Sequence, residues 1–95
     1  MKGYWIAKYK TIGNKDKLKN YAELAIQAIE DFGGASLVRG GKYKTLEGDE
    51  FMRTVIWEFK DYDTAINCYN SEKYQEAWSH AKQTTIRDLL IIEGV

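Results

Sequence analysis

Residues 51–59 read FMRTVIWEF, a run of β-branched and aromatic residues with the period-two spacing of a strand. Val55, Trp57 and Phe59 fall on one face of it, and Met52, Thr54 and Ile56 on the other. Its neighbour decides the fold. Ala35 to Gly40 reads as a second strand, and only a loop centred on Lys44 to Glu50, with Gly48, separates the two, so a hairpin sits in mid-chain. Working outward, Lys15 to Phe32 repeats Leu18, Ala22, Ala25, Ile29 and Phe32 at steps of three and four, which gives a helix one apolar stripe. Gly33 and Gly34 supply the left-handed residue that ends it. Before that helix, Tyr4 to Tyr9 (YWIAKY) reads as a strand. After the hairpin, Asp61 or Asp63 caps a short helix with Tyr62, Ala65, Ile66 and Tyr69 on one face. Ser71 caps another that carries Tyr74, Ala77, Trp78 and Ala81, and Thr85 to Glu93 (TIRDLLIIE) closes the chain as a strand.

Strand, helix, strand, strand, helical segment, strand is the split βαβ order, so residues 1–95 are expected to form one α+β domain: a ferredoxin-like βαββαβ fold with a four-stranded antiparallel sheet. Both helical segments then cover one sheet face and leave the other open. That open face is apolar. Leu89, Leu90, Ile91 and Ile92 are consecutive, which makes both sides of the last strand greasy, and Ile56 adds to the uncovered side. Apolar burial stabilises by roughly 25 cal/mol per Å², and a second copy of the chain is the simplest cover, so a homodimer is expected.

Composition narrows the function. The 95 residues are 44% apolar and 14% aromatic, which suits a folded core. Fourteen basic residues balance fourteen acidic ones, so no global field favours nucleic acid or an anionic membrane. The third strand also lacks the glycine-aromatic pattern of RNA-recognition domains, which share this strand order. No apolar run reaches transmembrane length, and the strand-like start leaves no room for a leader peptide. A single cysteine, Cys68, excludes an internal disulfide and fits a reducing cytoplasm. With one histidine besides, a Cys/His zinc site within one chain is excluded, and no metal or cofactor is expected.

The opening GYWIA, the central GGASLVRGGKY, the strand VIWEF followed by DTAINCYNSEKYQEA, and the closing LLIIEGV together resemble domain-of-unknown-function family 1330 over essentially the whole chain. The resemblance implies a dimeric α+β barrel, in which two ferredoxin-like sheets meet face to face around a cavity. The wider superfamily includes monooxygenases, muconolactone isomerases, and haem-degrading and chlorite-dismutating enzymes, and none of those activities transfers by fold. Where monooxygenase-like relatives tend to carry a histidine in the segment matching Glu58 to Tyr69, this chain has Tyr69.

Candidate site residues follow from charge and aromaticity. Arg39 is the lone charge in GGASLVRGG, and Glu58 the lone acid in VIWEF; a register pairing odd positions of one strand with even positions of the other sets both on one face, lining a cavity between the sheets, and a bulge at Gly40 and Gly41 would shift it. Each has two readings: a surface or interface ion pair, or a ligand contact in which Arg39 anchors an anion and Glu58 accepts a proton. Tyr69 and Tyr74 are placed near the cavity entrance as hydrogen-bond donors, or in the core. His80 lies beside the apolar stripe, either solvated or turned inward as a base or haem ligand. Cys68 reads as an inert packing residue. Two function classes stay open on these residues: a barrel that binds or transforms a small organic molecule, anionic or neutral, without a metal, and a non-catalytic ligand-binding or structural homodimer.

Overall fold

The computed structural model describes residues 1–95. The chain runs β1 (Gly3–Ile12), α1 (Lys15–Asp31), β2 (Ala35–Arg39), β3 (Arg53–Phe59), α2 (Tyr62–Asn70), α3 (Glu72–Ser79) and β4 (Thr85–Glu93). The strands form one antiparallel sheet in the order β2-β3-β1-β4, the ferredoxin-like arrangement expected from the order of elements. No helix is long and apolar enough to cross a membrane.

Local chemistry sets the element ends. Asn14, Asp61 and Ser71 cap α1, α2 and α3, each accepting from a backbone N–H three residues on, at 2.9, 2.7 and 3.2 Å. Hydrogen bonding from Thr64 also holds the Asp61 carboxyl below the usual range. At the end of α1, Gly33 adopts φ 78° while its N–H and that of Gly34 return to Glu30 and Ile29. β1 runs three residues further than its sequence pattern indicated, past a bulge between Tyr9 and Thr11 in its pairing with β4. The β2–β3 connection is longer too, because regular pairing stops at Arg39 and resumes at Arg53.

Odd-numbered residues of β1 as far as Tyr9, and of β3 and β4, point toward the helices. Trp5, Trp57 and Phe59 join Tyr21, Ala25, Ala28 and Ile29 of α1, Ala65 and Cys68 of α2, and Tyr74, Ala77 and Trp78 of α3 in one core. Burial pushes the Cys68 thiol up to about 12, which leaves it protonated and unreactive. Even-numbered residues point the other way. Ile86, Leu90 and Ile92 are 59%, 51% and 52% exposed there, beside half-buried Ile6 and Ile56.

The helices do not sit on the sheet equally. α2 lies close against β1, β3 and β4, whereas α1 packs most closely against α3. Tyr21 is wedged edge-on against both Tyr74 and Trp78, with ring centroids 6.0 and 5.3 Å apart, and this fixes α1 to its helical neighbour. Beneath it, the small residues Ala22 and Ala25 face Trp5, Ala7 and Val55 without filling the gap, so a cavity remains between α1 and the sheet.

Candidate functional site

The cavity measures about 420 Å³, within the range of small-molecule sites. Its floor is Trp5, Ala7, Val55 and Trp57, and its roof is Leu18, Ala22, Ala25, Ile26 and Ile29. One end is different. Arg53, Tyr9 and Arg87 lie side by side across β3, β1 and β4, Lys15 and Lys19 line the wall from α1, and Arg39, opposite Val55, lines it nearer Trp57. Five basic side chains therefore line the cavity, and no acidic one does.

Arg87 is the most firmly placed of them. Its Nη1 donates to the Tyr21 hydroxyl at 3.0 Å and to the Tyr9 hydroxyl at 3.5 Å, and its Nη2 donates to the Tyr74 hydroxyl at 2.7 Å. The guanidinium carbon lies 3.6 Å from the ring centroid of Trp78, a cation–π contact. None of the three ion pairs in the molecule involves Arg87, Arg39 or Arg53. Burial works against the charge on Arg87, but the surrounding tyrosine oxygens outweigh it and the shift is upward. Burial raises the Tyr21 and Tyr74 hydroxyls in turn, so they stay neutral beside the cation. The result is a fixed positive charge without a carboxylate partner. The wall also carries no carboxylate and no imidazole.

The residues expected from sequence are not brought together. Ala35 faces Glu58 and Ser36 faces Trp57; continuing that register would set Arg39 opposite Thr54, on the Glu58 face. A bulge at Leu37 intervenes, so Val38 faces Ile56 and Arg39 faces Val55. One extra residue moves every later side chain to the other side of the sheet, and the expected shared Arg39–Glu58 cavity is overturned. Arg39 points to the helix side, 6.0 Å from the Trp57 ring, and lines the cavity there. Glu58 stays on the open face, where it accepts from Lys2 Nζ at 3.1 Å and from the Tyr4 hydroxyl at 3.2 Å, a bond that raises the Tyr4 hydroxyl.

Tyr74 does not stand at an entrance. It is fully buried in the core, and its hydroxyl reaches the site only through Arg87 and Tyr21. Tyr69, half-buried on α2, is edge-on to Trp5 and lines a separate shallow depression with Tyr62, Ile66 and Leu89. His80 caps the C-terminus of α3 in an exposed position. No three metal-ligating side chains come together anywhere in the chain.

Arg87, Tyr21 and Tyr9 were missed, although a signal was present. In TIRDLLIIE, Arg87 shares its face with Leu89 and Ile91, so it is an isolated charge on an apolar strand face just as Arg39 is. Tyr21 was hidden because its place on α1 continues the apolar stripe.

Solved structures similar to this chain share its fold. A protein of unknown function from Rhodopseudomonas palustris, RPA0582, matches with a TM-score of 0.76 at 15% identity, covering 99% of this chain and 82% of that one. A dimeric protein of unknown function and ferredoxin-like fold from Bacteroides fragilis matches with a TM-score of 0.63 at 13% identity, covering 98% and 96%. SnoaB, a cofactor-independent oxygenase from Streptomyces nogalater, matches with a TM-score of 0.59 at 8% identity, covering 99% and 93%. A search of functionally curated proteins finds no match. The sequence itself is more specific than these likenesses: residues 2–95 match the family described as domain of unknown function DUF1330, and the chain belongs to that family.

Proposed function

We propose that this protein binds a small, largely apolar organic molecule carrying an anionic group, in the cavity between α1 and the sheet, and that it does so as a homodimer joined through the open sheet face. The cavity wall carries the proposal: an apolar floor and roof meet five basic side chains and no acidic one. An uncompensated, partly buried guanidinium is costly to leave without a partner, and an anion in the cavity supplies it. The anionic group sits at the Arg87 end, and the apolar body lies over Trp5 and Trp57. Dimerisation is supported by the exposed Ile86, Leu90 and Ile92 and by the dimeric protein of like fold from Bacteroides fragilis. The absence of a carboxylate or imidazole from the wall favours binding over proton abstraction.

Titration calorimetry with 2-naphthoate and the neutral 2-naphthylmethanol tests this. The acid is expected to bind at least about tenfold more tightly, since a hydrogen bond to a charged group contributes about 1.5–3 kcal/mol. Ala22→Leu, which fills the roof, should abolish binding of both while leaving the melting temperature unchanged or higher. Equal binding of acid and alcohol, or naphthoate affinity untouched by Ala22→Leu, would remove the cavity from consideration.

A further inference from the structure

We infer that the Arg87 end of the cavity selects the ionised form of weak organic acids, phenols and enols, and that the Tyr21 hydroxyl is the residue that makes the selection. This rests on the reading of the cavity as a binding site and goes further by naming the ligand's head group.

Counting protons singles out Tyr21. The Tyr21 and Tyr74 oxygens are 2.7 Å apart, so one hydroxyl donates to the other. Both also accept from Arg87, whose nitrogens have only protons to give. If Tyr21 were the donor, the Tyr74 proton would have no acceptor, in a residue with no exposed surface. Leaving a buried polar group unpaired is unfavourable, so Tyr74 donates to Tyr21. The Tyr21 proton is then unspent, and Tyr21, unlike Tyr74, lines the cavity. Tyr9 is in the same position: its oxygen accepts from Arg87, and its own proton has no acceptor in the protein.

Two hydroxyl protons and a guanidinium thus converge on one end of the cavity. Among the lining side chains only the Tyr9 oxygen keeps a free lone pair, because the Tyr21 oxygen already accepts from Arg87 and Tyr74, and Lys15, Lys19, Arg39 and Arg53 are donors only. A ligand group that must donate a hydrogen bond finds only that one neutral oxygen to receive it, against several donors that stay unpaired. A phenolate, enolate or carboxylate oxygen, which only accepts, can take both hydroxyl protons and face the Arg87 charge. A neutral phenol therefore binds by giving its proton to the buffer, and no group of the protein changes its own protonation.

The probe is 4-nitrophenol, whose ionised form is yellow. Bound to the intact protein, it is expected to ionise at least one pH unit lower than in free solution, which is a tenfold preference for phenolate over phenol. Tyr21→Phe, which removes one oxygen and leaves the ring packing in place, should cut that preference by at least about threefold. Arg87→Gln should abolish it. Binding of 4-nitrophenol with an unshifted ionisation would overturn the inference while leaving the cavity as a binding site. A shift unchanged by Tyr21→Phe would overturn the role of Tyr21. Failure of both 4-nitrophenol and 2-naphthoate to bind the wild-type protein would overturn the inference together with the reading beneath it.

Discussion

Tyr74 shows how one side chain serves packing and the site at once. Its ring is edge-on to Trp5, with centroids 4.8 Å apart, and its hydroxyl holds Arg87 at 2.7 Å from the cavity's far side. Tyr74→Phe deletes a buried hydrogen bond to a charged group, so urea denaturation should show a loss of about 2 kcal/mol; a loss below about 0.5 kcal/mol would mean the hydroxyl is not engaged. Alkaline pH probes the same interior. Cys68 titrates ordinarily at 9.0 and is pushed up to about 12, and burial raises Tyr21 and Tyr74 above their ordinary 10.0. Above these ordinary values the unfolded chain has lost protons that the folded chain keeps, so the unfolded state binds fewer and stability falls as pH rises. The urea midpoint should hold up to about pH 9 and then decline, first through the thiol and then through the tyrosines. Cys68→Ala should remove the part of the decline that begins near pH 9. A wild-type midpoint that stays level past the tyrosine value would show that these groups ionise freely in the fold.

At the scale of elements, β2 carries the largest consequence for its size. Its bulge at Leu37 carries Arg39 from one side of the sheet to the other, and Gly40 then turns the chain away with φ 74°. A Cβ on Gly40 would run into the Arg53 guanidinium, so glycine serves both the left-handed backbone and the close passage of a cavity arginine. Gly40→Ala should cost more than about 1 kcal/mol in stability and displace Arg53; full stability with unaltered ligand affinity would show that the turn tolerates a side chain. The strands, the helices and the caps Asp61 and Ser71 were legible in the sequence, because alternation, apolar stripes and capping residues are local signals. The bulge was legible only as an option at Gly40 and Gly41, not at its true place, Leu37. ASLVR contains no glycine to mark it, and the position of an extra residue is set by pairing across to β3. The cavity was hidden for a similar reason, since α1 is held off the sheet by Tyr21 against Tyr74 and Trp78, partners more than fifty residues away in sequence.

For the whole molecule, the two faces of the sheet divide the work: the helix side holds the cavity, and the open side presents Ile6, Ile56, Ile86, Leu90 and Ile92. A face-to-face pair would cover them within the roughly 1,200–2,000 Å² of a standard interface. Sedimentation at micromolar concentration should give twice the 11.0 kDa chain mass. Leu90→Asp should give a single chain or an insoluble product, and a soluble wild-type monomer would refute the pairing. The placement of the aromatic residues has a practical outcome. The chain has three tryptophans; Trp5 and Trp57 form the cavity floor, and Trp78 stacks on the Arg87 guanidinium. Every indole in the protein therefore touches the cavity or its anchor, and its ultraviolet emission has no distant background. An occupant resting on Trp5 and Trp57 should change the intrinsic fluorescence, with no dye attached.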